Sequence, residues 1–169
     1  TGFQARGGAT DVHADGWGIA FFEDRGVRLF LDPQPSCTSP IAALVRQYPI
    51  RSKNVIAHIR KATQGVVALE NTHPFMREAW GRNWIFAHNG NLVDFAPPLD
   101  GRFLPVGNTD SERAFCWLMQ SLRQRFGDAL PAASDLFDAV HDIALELGAK
   151  GEFNFLLSNG DCLIAHAST

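Results

Sequence analysis

Methionine and tyrosine are nearly absent from this chain, at two residues and one, and cysteine occurs only three times in 169 residues. Cys37, Cys116 and Cys162 are odd in number and irregularly spaced, which argues against a disulfide framework and points to a reducing, cytoplasmic compartment. No apolar run approaches the length of a membrane span, and no signal peptide is visible. An excess of one charge is missing as well. Fifteen basic residues against eighteen acidic ones leave a net charge of −3, without the footprint that nucleic acid or an anionic membrane would require. The six histidines never fall at i, i+4 or on short loops with cysteines or carboxylates, so neither a metal site nor a cofactor is indicated. Repeats, linkers and low-complexity segments are also lacking. What remains is an ordinary globular balance, 46% hydrophobic and 20% charged. One domain over 1–169 is the expectation, and a protein of this length buries roughly 70% of its unfolded surface.

The order of elements reads strands first, then two helices, then strands. Thr1 to Asp15 reads as a loop, Gly16–Phe22 as a buried strand, and Val27–Leu31 as its partner across Glu23-Asp24-Arg25-Gly26. Ser39-Pro40 starts a helix to about Gln47, with the serine as N-cap and the proline in the first turn. Asn54–Arg60 is a strand whose period of two puts Ile56, His58 and Arg60 on one face. Lys61–Gly81 is long and irregular, and connections of that length inside a compact domain usually carry function. Trp84–His88 is a strand running into Asn89-Gly90, followed by a polar loop to Asn108. Thr109-Asp110-Ser111-Glu112 fits a capping box ahead of a helix with Phe115, Leu118, Met119, Leu122 and Phe126 as its apolar stripe. A second helix spans about Ser134–Leu147, stopped by Gly148, and Phe153–Leu157 with Cys162–Ala167 form a closing hairpin. This order indicates an α+β layered domain rather than βαβ alternation.

Four features carry candidate chemistry, each with a bland alternative. Asn89-Gly90 between apolar runs is a strong hairpin signal, because both residues tolerate positive φ. The same pair at a strand end can also supply an amide and a backbone N–H to a carbonyl oxygen gaining charge. Arg60 is either a solvated strand-end cation or a planar fork for a carboxylate. Asp110 is either a favourable first-turn acid or a carboxylate aimed at an ammonium group. His73, before Pro74 in the long loop, is a site residue or loop packing. A carboxylate fork, an ammonium acceptor and an oxyanion pair together match a free α-amino acid with a side-chain amide.

The blocks Ala57-His58-Ile59-Arg60-Lys61-Ala62-Thr63, Asn71-Thr72-His73-Pro74-Phe75, Ala87-His88-Asn89-Gly90-Asn91 and Thr109-Asp110-Ser111-Glu112 resemble, in order and spacing, the class II glutamine amidotransferase domain. Asp15–Ala20 and the Phe153–Ala167 hairpin resemble it too, and Thr72-His73-Pro74-Phe75 resembles the free-standing subgroup without a fused synthase. The resemblance implies an N-terminal-nucleophile fold: a four-layer αββα sandwich of two stacked mixed sheets between helical layers. It implies that Arg60 binds the substrate α-carboxylate and Asp110 its α-ammonium, that Asn89 and Gly90 form the oxyanion hole, and that Thr63 and His73 line the glutamine pocket. L-glutamine or a γ-glutamyl compound is the implied substrate, with an ammonia-accepting synthase as an implied partner.

One element of the family pattern is missing. Its nucleophile is a cysteine directly after the initiator methionine, activated by its own α-amino group. No such residue begins this sequence. Thr1 is a candidate by chemistry alone, but Thr1-Gly2-Phe3-Gln4 reads as an approach to Arg6-Gly7-Gly8 and not as a first core strand. Cys37, Cys116 and Cys162 have no free amine and read as packing or surface residues. The expectation is a domain lacking its first strand, with its cysteine, and its C-terminal end. The alternatives are a hydrolase of another γ-glutamyl amide and a glutamine-binding domain without turnover.

Overall fold

The computed structural model describes residues 2–168. Two antiparallel sheets stack face to face. In the first, β1 (Trp17–Glu23) turns through Asp24-Arg25 into β2 (Gly26–Asp32), and β3 (Val55–Ile59) pairs with the other edge of β1, for the order β2-β1-β3. In the second, β4 (Phe75–Ala79), β5 (Arg82–Leu92), β6 (Gly151–Ser158) and β7 (Leu163–His166) lie side by side in sequence order. Every pairing among the described residues is antiparallel, which corrects the expectation of mixed sheets.

Strand alternation decides what each face meets. On β1, Trp17, Ile19 and Phe21 face α1 (Phe3–Arg6) and α2 (Pro40–Gln47), with the Phe3 ring edge-on to Trp17 at 6.2 Å. Ala20 and Phe22 face the other way and pack with Ile56, Ile85 and Ala87 between the sheets. On β5, Trp84 and Phe86 face α3 (Asp110–Phe126) and α4 (Ala133–Gly148), and Phe86 stacks on Phe115 at 5.0 Å. Each such fully buried aromatic contributes about 1.5–3 kcal/mol through area removed from water. The predicted stripe of α3 is buried at Phe115, Leu118, Met119 and Leu122, and Phe126 packs partly against the same core.

Capping is local and legible. Ser39 Oγ accepts the Ala42 N–H and donates to Asp32, while Thr109 Oγ1 accepts the Glu112 N–H. The Glu112 carboxylate does not return to the cap. It takes the N–H groups of Val106 and Gly107 and pairs with Arg77, fixing the loop ahead of α3.

Three segments differ from the sequence expectation. The opening loop contains α1. The irregular stretch 61–81 contains a 3₁₀ turn at Leu69–Asn71 and β4, which pairs with β5 through a two-residue turn at Trp80-Gly81. Both turn residues have positive φ, 56° and 68°, the geometry that matches strand twist in a tight hairpin. Asn89-Gly90 is not a turn: β5 runs straight through it, with Asn89 opposite Asn154 and Gly90 opposite Phe153. Gly90 has φ 157°, and a Cβ there would run into the Glu152 carbonyl oxygen, so glycine permits the close approach of β6.

Candidate active site

At one end of the inter-sheet space, the end of β3, the far half of β5 and the first turn of α3 enclose a cleft of about 170 Å³. Arg60, Thr63, His73, Asn89, Gly90 and Asp110 all line it, so the structure brings together every residue singled out in the sequence. Their convergence depends on where β4 stops. The β4–β5 pairing begins at Phe75↔Phe86, and beyond Phe86 that edge of β5 has no strand partner among the described residues. Leu92 N–H on this edge donates to Asp110 Oδ2 at 2.8 Å. Alternation places the Gly90 N–H on the same edge, two residues earlier, beside the cleft. Asn89 sits on the opposite parity, on the face that holds Ile85 and Ala87, so its exposed side chain enters between the sheets.

Asp110 is held at the helix start with one oxygen on Leu92 N–H and the other 3.4 Å from Ser111 Oγ. Ser111 Oγ is in turn 2.8 Å from His88 Nδ1, and His88 Nε2 lies 3.1 Å from the Glu152 carbonyl oxygen. This series of contacts ties Asp110 to the strand carrying Asn89 and Gly90. Burial holds the His88 pKa below the ordinary histidine value, against the Glu152 carbonyl and the Asp110 charge, which raise it.

Arg60 is 3% exposed, and its guanidinium is largely spent. One terminal nitrogen donates to Gln64 O at 2.8 Å and Gly65 O at 3.3 Å, the other to Val66 O at 3.2 Å. Arg60 therefore holds the loop on which Thr63 stands. Asp15 holds that loop from outside through the Ala62 N–H, and Asn71 joins it to the loop before α3 through Val66 O and Asn108. Burial lowers the Arg60 pKa, and the Asp15 charge opposes this.

Behind the cleft, the rings of His58 and His73 lie 4.4 Å apart, with Phe75 at 4.5 Å from His73. Both His73 nitrogens and Nδ1 of His58 are buried without a hydrogen-bond partner. Burial, reinforced by the neighbouring imidazoles and the Arg60 guanidinium, pushes His58 down to about 4 and holds His73 well below the usual value, so both rings are neutral at pH 7.

Sequence reasoning does not single out Gln64, Asn91, Ser111 or the Glu152 carbonyl as site groups. Ser111 at least lies inside the Thr109–Glu112 block; Glu152 arrives only through the β5–β6 register. The three cysteines are elsewhere: Cys116 is buried in α3, Cys37 and Cys162 are half-buried in loops, and none lines the cleft. Thr1 lies outside the described residues.

Two antiparallel sheets between helical layers, with this cleft at their end, define an N-terminal-nucleophile amidotransferase fold. The class II glutamine amidotransferase profile matches residues 1–169, and the protein belongs to that family. It is similar to YafJ of Escherichia coli, a predicted glutamine amidotransferase, 54% identical over 100% of this sequence and 66% of that protein. A crystal structure of a predicted glutamine amidotransferase from Pseudomonas aeruginosa is 46% identical with a TM-score of 0.77, covering 98% of this sequence and 64% of that one. A γ-glutamyl-hercynylcysteine sulfoxide hydrolase of Mycobacterium tuberculosis is 30% identical over 91% of this sequence and 59% of its own length. The 169 residues thus span less than two thirds of each of these relatives.

Proposed function

We propose that the cleft binds L-glutamine and hydrolyses its side-chain amide to glutamate and ammonia. The observation that carries this reading is the meeting of six residues from four separate sequence blocks around one cleft. In this reading Asp110 receives the α-ammonium group on the carboxylate lone pairs that Leu92 leaves free. Arg60 and the loop it holds, with Thr63, face the α-carboxylate, and His73 forms the neutral back wall. A thiolate attacks the amide carbon, and the oxygen that gains charge is met by the Asn89 side-chain amide and the Gly90 N–H. Collapse of that intermediate breaks the C–N bond, releases ammonia with the proton taken from the thiol, and leaves a thioester. Water then cleaves the thioester to glutamate and restores the thiol.

The nucleophile in this scheme is a cysteine N-terminal to Thr1, with its α-amine as base. Placement supports it. β3 is paired along one edge only among the described residues, and beside it a largely apolar groove of about 330 Å³ opens onto His58 and Asn89. A strand added to that edge would carry a side chain to the oxyanion pair. Treating the full-length protein with a glutamine-like electrophile should give one adduct by intact mass, on the terminal cysteine. An adduct on Cys37, Cys116 or Cys162 with loss of activity would overturn the assignment. The Mycobacterium tuberculosis relative favours a second reading, hydrolysis of another γ-glutamyl amide, in which the same residues hold the glutamyl end.

A further inference from the structure

Beside the cleft lies a second, larger chamber of about 470 Å³. The two share Thr63, Gln64, Asn91, Thr109 and Asp110 as lining, but neither Asn89 nor Gly90 reaches the chamber. It therefore adjoins the charged end of the proposed substrate and not its scissile amide. Gln64 stands between them, its side-chain amide donating to Asn91 Oδ1 and, at 3.1 Å, to Leu92 O. Beyond this partition Val93 and Phe95 supply apolar lining, Arg113 a cation, and Asp94 and Asn108 the remaining polar lining; Asp94 makes no ion pair with Arg113 among the described residues.

Arg113 follows Asp110 by one helical turn, so both side chains leave the same side of α3. The ion pairs of the described residues use Arg28, Arg77, Arg82, Arg123 and Arg125, and Arg113 joins none of them. Arg60, by contrast, has both terminal nitrogens on loop carbonyls. The guanidinium lining the cleft is thus largely committed, while an uncommitted one stands in the adjoining chamber; Lys61, at the cleft, is a cation without the planar fork.

We propose that this chamber is a subsite for a second residue joined to the substrate's α-carboxyl group, so that the protein acts on short peptides beginning with glutamine, their terminal carboxylate pairing with Arg113. The inference rests on the glutaminase reading and deepens it. In such a peptide the α-ammonium group still meets Asp110, and the α-carbonyl is an uncharged amide that asks no free guanidinium of Arg60. The second residue's side chain lies on Val93 and Phe95. The reaction is unchanged: water enters, the C–N bond of the glutamine amide breaks, ammonia leaves and the first residue becomes glutamate.

Ammonia release by the full-length protein from glutamine, Gln-Gly and Gln-Gly-amide tests it, with enzyme-free blanks for spontaneous cyclisation. Loss of one charge-assisted contact at a half-buried site corresponds to about ten-fold. Gln-Gly should therefore exceed Gln-Gly-amide by about that factor in kcat/KM, and Arg113→Gln should abolish the difference while leaving glutamine turnover within a few-fold. Arg113→Lys should restore part of it. Equal rates for the two peptides, or an equal loss on glutamine in Arg113→Gln, would overturn the subsite. If no substrate is turned over, the glutaminase reading fails instead, and calorimetric binding of Gln-Gly against Gln-Gly-amide still decides on Arg113.

Discussion

Replacing Asn89 by alanine separates a transition-state contact from a structural one. The residue lies inside β5, opposite Asn154, whose side-chain amide donates to the Asn89 backbone oxygen at 3.1 Å, a bond any residue at position 89 preserves. The Asn89 side chain itself is exposed and enters no hydrogen bond among the described residues. Its removal deletes no hydrogen bond among the described residues, and the side chain is exposed, so stability should change by about 0.5 kcal/mol or less. In a protein of this size that corresponds to about 1–2 °C in Tm. If the amide meets an oxygen that becomes negative only during attack, its contribution is absent in the ground state. Turnover should then fall about 10²–10³-fold, equivalent to about 2.7–4 kcal/mol, with glutamine affinity within a few-fold.

Asn89→Gly sharpens the test. A turn would welcome glycine, whereas a strand interior loses about 0.5–1 kcal/mol to it and the oxyanion site loses the same donor as with alanine. Ammonia release and thermal melting on both variants of the full-length protein decide the matter. Wild-type turnover in Asn89→Gly, or activity losses that follow the folded fraction in both variants, would refute the oxyanion role.

The remaining expectations address binding, pH and the loop before α3. Asp110→Asn keeps an acceptor for the Leu92 N–H but loses the charge, so it should fold normally and raise the KM for glutamine by about ten- to a hundred-fold; an unchanged KM would remove Asp110 from substrate binding. His58 and His73 bind a proton less readily folded than unfolded, so stability is full above pH 6.5 and declines as pH falls from there toward about 4, where His58 itself protonates. Over that window His58 alone accounts for about 3 kcal/mol, and a denaturant titration of His58→Gln should show a correspondingly flatter acid limb. Arg77→Ala strips the cation from a Glu112 that is 2% exposed, and the two N–H donors left to it hold the cost near about 3 kcal/mol in urea unfolding; a loss under about 1 kcal/mol would show the pair to be energetically idle.

What can be read from the sequence is whatever a few neighbouring residues decide together. Ser39-Pro40 and Thr109 through Glu112 announce helix starts because the cap bonds span three residues. The stripe of α3 announces its buried face because 3.6-residue periodicity needs no partner to be seen. β4 escapes for the opposite reason. Phe75 to Ala79 has no long apolar alternation and becomes a strand through pairing with β5, where Arg77 and Glu78 face Trp84 and Asn83.

The Asn89-Gly90 stretch shows how a correct local observation leads to a wrong structure. Its tolerance of unusual backbone is used, but by a strand about 60 residues away in sequence. The Glu152 carbonyl oxygen comes so close to Gly90 that a Cβ could not fit, and that same carbonyl faces the His88 ring. The turn chemistry expected there is found instead at Trp80-Gly81, where tryptophan gives no turn signal and β4 carries no strand signal. Arg60 follows the same logic. Period two puts it correctly on the face of His58, yet its bonds go to carbonyls four to six residues onward, whose positions depend on Asp15 and Asn71. The residues of the cleft are therefore visible as types in order, while their division of labour is not: a fork committed to its own loop acts as a positioning group, and Arg113, which no motif marks, joins Lys61 as a nearby cation outside the ion pairs of the described residues.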